Sequence, residues 1–207
     1  MNLFDVLYSG KRDITEENMS ALLGWMLDPG QSHGWGNLFL AEFLRAIDEK
    51  RFESFIAQLP SQVSYKSKNR TWAMVVLEEP VTTGSNEQKD IDLVLYLEGN
   101  HSSPKYVLIE NKIRSGSVTL GQLNAEIEGF LNGEHVIAKD DFAFVYLTLQ
   151  DELAAASEFK SISENLLSAH LSWRKSNLDS VETVLETFLQ KESAGEISPF
   201  SYELTWL

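Results

Sequence analysis

The sequence predicts an α/β protein, a mixed β-sheet flanked by helices with its site at one end of the sheet, and three observations lead there. Periodic segments follow the order α, α, β, β, β, α, β, which suits helices sandwiching a sheet. The apolar runs 91–97 and 105–113 are separated by Glu98-Gly99-Asn100-His101-Ser102-Ser103-Pro104, a cluster of turn formers that makes them an antiparallel hairpin. A helix-periodic stretch at 119–132 then joins 105–113 to the apolar run Phe142–Leu149. A helix crossing between two strands makes them parallel, with a right-handed connection.

The elements follow in order. Thr15 is a candidate N-cap, and Met19, Leu22, Leu23, Met26 and Leu27 then mark one helical face. At 100° per residue Glu16 lies roughly 50° from the centre of that face and Glu17 about 150° away, so Glu16 is the acid that looks toward a sheet. Asp28-Pro29-Gly30 stops the helix. In the loop beyond, His33 is expected to fix the chain by hydrogen bonding rather than to act as a base. A second helix is expected over 37–55, with Leu40, Phe43, Leu44 and Ile47 inward. Strands are expected at 62–66, 71–78, 91–97 and 105–113, and the continuous 71–78 run suggests a central strand. In the 119–132 helix, Leu120, Leu123, Ile127, Phe130 and Leu131 form the packing stripe. Gln122 falls about 130° from its centre. Phe142–Leu149 reads as a fully buried strand, 151–170 and 179–191 as helices, and Tyr202–Leu207 as a terminal strand or packing segment.

With 207 residues, 43% of them apolar and 11% aromatic, the chain suits one domain, with a core over about 13–150 and a helical extension over about 151–207. It has no run of eighteen apolar residues, so no membrane span is expected. Met1-Asn2-Leu3-Phe4-Asp5 does not open like a signal peptide. The lack of cysteine excludes disulfides, thiolate zinc sites and thiol nucleophiles, and suits a cytoplasmic protein. Hydrolase-elbow, P-loop and dinucleotide-binding motifs are also missing from the sequence. A net charge of −14 argues against a passive nucleic-acid coat. An acidic protein can still process nucleic acid where its cleft is locally basic and a metal neutralises its carboxylates. Lys66, Lys68 and Arg70, beside Trp72, form one candidate DNA-contacting patch, with a solvated loop as the plain alternative.

The chemistry concentrates in residues 90–112. Along a strand, side chains alternate between faces, so Glu110 and Lys112 point one way and Asn111 the other. The hairpin brings Asp92 beside them. Two carboxylates and an ammonium at a sheet end suit metal-assisted phosphodiester hydrolysis: the acids hold a hard cation, and the lysine sits by the attacking water or the phosphate. The competing explanation is a pair of solvated strand-end acids and a weak surface ion pair. Asp90 shares Asp92's strand face and is the alternative should the register slip.

These residues resemble the PD-(D/E)XK nuclease superfamily. Asp92, then Glu110-Asn111-Lys112-Ile113, then Gln122-Leu123 opening a helix, looks like its core. Glu16-Glu17-Asn18 through Leu27-Asp28-Pro29 is similar to the acidic first helix of bacterial members, with Met19 where relatives often carry histidine. His33-Gly34-Trp35-Gly36-Asn37-Leu38-Phe39-Leu40 is similar to their H-G-x-G-x-x-F-L segment. The resemblance covers about residues 13–150. It implies a restriction-endonuclease-like fold with an αβββαβ core and a C-terminal helical extension. The implied activity is a Mg²⁺-dependent nuclease (Mn²⁺ able to substitute) acting on DNA in a defence or mobile-element setting. Asp92, Glu110, Lys112 and Gln122 are the implied catalytic residues. Glu16, Asp92, Glu110 and the Asn111 carbonyl are the implied metal donors. Cutting both strands of a duplex requires a homodimer or two successive nicks. Two alternatives stand beside this reading: a non-catalytic protein of the same fold binding nucleic acid or a protein partner, and an acidic DNA mimic or inhibitor.

Overall fold

The computed structural model describes residues 15–33, 35–59, 73–98, 103–113, 121–133, 137–150, 153–162, 166–177 and 179–196. Helix α1 (Glu16–Leu27) opens on Thr15, whose hydroxyl accepts the Asn18 N–H at 3.3 Å, meeting one of the orphan donors of a first turn. Past its end, His33 Nδ1 accepts the Trp35 N–H at 3.0 Å, so Nε2 is the protonated nitrogen and donates to the Asp28 carbonyl at 3.0 Å. The histidine fixes the loop, as expected. The stretch expected as one helix over 37–55 is two, α2 (Leu38–Asp48) and α3 (Glu53–Ile56). At the break the Asp48 carboxylate takes the Arg51 N–H at 3.0 Å, the local competition with helical bonding at which short polar side chains excel.

The sheet is β1 (Ala73–Thr82), β2 (Gln88–Leu97), β3 (Lys105–Lys112), β4 (Phe142–Thr148) and β5 (Leu167–Ser172), lying side by side in that order. Strands β1, β2 and β3 form an antiparallel meander, while β3, β4 and β5 run parallel. Helix α4 (Gln122–Leu131) makes the crossover from β3 to β4, α5 (Leu153–Lys160) the one from β4 to β5, and α6 (Val181–Ser193) follows. The hairpin, the parallel βαβ unit and the fully buried β4 agree with the sequence analysis.

Two expectations need correction. The described part of the 71–78 run, residues 73–78, belongs to β1, an edge strand among the described residues, with Met74 and Leu77 exposed. Pro80, which lacks an N–H to donate, sits within it, and an edge tolerates that loss where a central strand does not. The 151–170 segment is α5 followed by β5, so the C-terminal extension supplies the fifth strand as well as helices. Leu167, Ala169 and Leu171 alternate with Ser168, His170 and Ser172 and turn toward the main core, a period of two rather than 3.6. The expected strand at 62–66, the Lys66, Lys68 and Arg70 patch, and the terminal segment 202–207 lie outside the described residues.

Two apolar layers hold the sheet. On one face Leu23, Phe39 and Phe188, from α1, α2 and α6, pack against Leu93, Ile109 and Val145. On the other, Leu123, Ile127 and Ala155 cover Val94, Leu108 and Phe144. Each large side chain so buried contributes about 1.5–3 kcal/mol. Two glycines set how close the helices come. A Cβ at Gly24 of α1 would lie 3.1 Å from Leu77 Cδ2, and one at Gly129 of α4 would lie 2.9 Å from the Thr82 carbonyl oxygen. Without side chains there, both helices settle onto β1 from opposite faces. No helix among the described residues is long and apolar enough to cross a membrane.

Candidate active site

Strands β2 and β3 are registered as far as Leu93↔Ile109, and the next residues outward are Asp92 and Glu110. Beyond that last pair the Asp92 carboxylate takes the Asn111 N–H at 2.7 Å, so the hairpin's end is held by a side chain. Alternation along β3 decides what points where. Leu108 packs under α4, and Glu110 and Lys112, in step with it, face the same layer. Glu110 is 2% exposed, and the Lys112 ammonium lies 2.6 Å from its Oε1. Asn111 faces the opposite layer. Its Nδ2 donates to Ser20 Oγ at 3.0 Å and to the Glu16 carbonyl at 3.3 Å, and its Oδ1 accepts the Trp173 indole N–H at 2.8 Å.

Glu16 reaches this end of the sheet from the first turn of α1, where its Oε1 accepts the Ile113 N–H at 3.2 Å. Gln122 opens α4 and donates its amide to Glu126 Oε1 at 2.6 Å. Asp92, Glu110, Lys112, Glu16 and Gln122 are thus brought to one end of the sheet. Asp90 is not among them: it is exposed and paired opposite Pro80 in the hairpin.

Glu126 was missed by the sequence analysis, although it is only 1% exposed and belongs to the same group. A signal was available. It lies three residues after Leu123 and four before Phe130, on the flank of the packing stripe, and four after Gln122, on that residue's own face. An acid beside an apolar stripe is costly to bury without a partner. Glu158 of α5 was missed too. It is 1% exposed, and its carboxylate accepts the Gly121 N–H at 2.9 and 3.0 Å and the Leu123 N–H at 3.3 Å, capping the start of α4.

The charges of these groups act on one another. Burial, then the neighbouring Asp92 and Glu126 carboxylates, push Glu110 up to about 8 against the pull of Lys112. Burial also raises Asp92, opposed by the Asn111 N–H and Lys112. It raises Glu126 as well, opposed by the Gln122 amide. Burial alone would lower the Lys112 ammonium, but the Glu110 carboxylate, aided by Asp92 and Glu16, holds it above the ordinary lysine value. Lys112 acts on all three acids, and Lys89 acts on Glu126 as well. Among the described residues, the buried Glu110 Oε2 and Glu126 Oε2 have no hydrogen-bond partner, an arrangement worth about 1–3 kcal/mol of lost solvation per neutral group and more for a charged one.

Hard carboxylate oxygens left without partners are the donor type a Mg²⁺ or Mn²⁺ ion takes, and the residues fit such an ion in chemistry. No three Asp, Glu or His side chains among the described residues stand as a ready-made metal cage. Lys112 supplies the compensating charge beside Glu110.

Helices on both faces of a five-stranded mixed sheet, with acids and a lysine gathered where β2 and β3 part, make this a restriction-endonuclease-like α/β protein. A family model for the PD-(D/E)XK nuclease superfamily matches residues 1–202, and the chain belongs to that superfamily. Its members are generally nucleases, and they typically use divalent metal ions. No curated protein and no solved structure matches the chain.

Proposed function

We propose that this protein is a divalent-metal-dependent nuclease that hydrolyses phosphodiester bonds of DNA, in a cytoplasmic setting that its lack of cysteine suits. One observation carries the proposal: Glu110 is buried between Asp92 and Lys112, with one oxygen on the ammonium and the other without a partner among the described residues. A merely structural Glu-Lys pair leaves no buried oxygen unmet.

Asp92 and Glu110 would hold the ion, with Glu16 and the Asn111 main-chain carbonyl as further donors. When bound, it supplies an acidified water and neutralises charge on the phosphate. Asp92 is pre-aimed, because the Asn111 N–H fixes one of its oxygens. Lys112 has three donors and spends one on Glu110, so the others serve the phosphate oxygens as negative charge builds on them. The water oxygen bonds to phosphorus and releases one proton to solvent, the bond from phosphorus to the leaving sugar oxygen breaks, and the departing oxygen takes up a proton from solvent.

The test is cleavage of linear, circular and single-stranded DNA with Mg²⁺, Mn²⁺ or EDTA, run beside Lys112→Ala and Asp92→Asn with circular dichroism as the check on folding. Metal-dependent cleavage lost in both variants is the expected result. Cleavage that survives in both, or that proceeds in EDTA, overturns the assignment.

A further inference from the structure

We infer that Glu126 is an additional carboxylate of the cation-holding group, and that Gln122 positions it. The inference deepens the nuclease proposal and rests on it.

Hydrogen bonds among the described residues meet only half of the Glu126 carboxylate. It lies on a helix face that descends into an apolar layer, 1% exposed, where a carboxylate forfeits its hydration. Only one of its oxygens is met, by Gln122. The other has no hydrogen-bond partner among the described residues, and neither does the inner oxygen of Glu110, whose charge it feels. Two buried oxygens without hydrogen-bond partners among the described residues, on acids that feel each other's charge, suit a shared cation.

Nothing about its placement is loose. Helix α4 is seated on β1 by the close approach of Gly129 to the Thr82 carbonyl, and its first turn is held by Glu158 across Gly121 and Leu123. Four residues into that fixed helix, Glu126 has its rotamer set by a 2.6 Å hydrogen bond from the Gln122 amide. That bond spends one of the two Gln122 amide N–H donors, and positioning Glu126 is the role the inference gives it. Partners that orient a metal donor in this way change metal affinity by about 10–100-fold when removed.

The experiment is a Mn²⁺ titration of the full chain, by electron paramagnetic resonance and by calorimetry. It covers wild type, Glu126→Gln, Gln122→Ala, the double variant and Asp92→Asn, with thermal unfolding of each. Glu126→Gln keeps the shape and the link to Gln122 but removes the charge. It is expected to weaken Mn²⁺ binding at least about tenfold, and Gln122→Ala to weaken it by about the same. The double variant is expected to bind no more weakly than Glu126→Gln alone, because Gln122 acts only through Glu126. Unchanged affinity in Glu126→Gln, with binding lost in Asp92→Asn, overturns the inference and leaves the nuclease proposal standing. Additive losses in the double variant overturn the positioning role of Gln122. A wild-type protein that binds no Mn²⁺ overturns both proposals.

Discussion

The Trp173 indole N–H donates to Asn111 Oδ1 at 2.8 Å, and through that bond the residue between the site's acid and its lysine is fixed from the opposite face of the sheet. The same amide reaches Ser20 and Glu16 of α1. One side chain thus ties the first helix and the residue following β5 to the centre of Glu110-Asn111-Lys112. Its neighbours inherit their aim from it.

Asn111→Ala should therefore destabilise the protein by about 2–4 kcal/mol, since it strips the buried indole N–H of this acceptor and the Ser20 hydroxyl of a donor. Urea unfolding measures the loss. Cleavage should fall with it, because Glu110 and Lys112 then sit on a strand end free to shift. A stability change below about 0.5 kcal/mol, the range of an ordinary surface substitution, would show that the network holds nothing in place.

Glu158 links α5 to the start of α4 and should matter more than an ordinary cap. Glu158→Ala leaves the Gly121 and Leu123 N–H groups without their acceptor and is expected to lower stability by about 1–2 kcal/mol. Hydrogen exchange gives the sharper reading: faster exchange confined to the first turn of α4 is expected, with β4 unchanged. Uniform acceleration across the sheet would mean a general loss of stability and no specific capping.

The metal-free protein should become less stable as pH rises. The Glu110 carboxyl titrates near 8 when folded and near 4.5 when the chain is unfolded. A raised value means that the folded state binds the extra proton, so this contribution is complete below about 4.5 and is lost progressively as pH climbs to 8. The total is a few kcal/mol at most. Urea unfolding in EDTA at pH 5.5 and at pH 8 should show the decline, and Glu110→Gln, which has no proton to lose, should flatten it. An equally steep decline in Glu110→Gln would assign the effect to other groups.

Much of this was legible in the chain. Strand alternation alone separated Glu110 and Lys112 from Asn111, the turn formers at 98–104 announced the hairpin that delivers Asp92, and helical periodicity chose Glu16 over Glu17. Thr15 and the β3–α4–β4 crossover were equally local signals. These features repeat over two to four residues, so a linear sequence carries them in full.

What the sequence alone determined, then, was the set of faces: which side chains travel together on one strand or helix. Only the tertiary structure decided which faces meet. The position of β1 at the edge of the described sheet depends on strands elsewhere in the chain. So does the pairing of Leu167–Ser172 with β4, within a stretch that also reads as helix. Glu126 comes within reach of the charge of Glu110 as Gly129 lets α4 settle onto the sheet, and Asn111 becomes a clasp because Trp173, 62 residues away, arrives above it. Such contacts are set by packing between distant segments, where close approach and burial give a side chain its energy, and a local pattern cannot encode the partner.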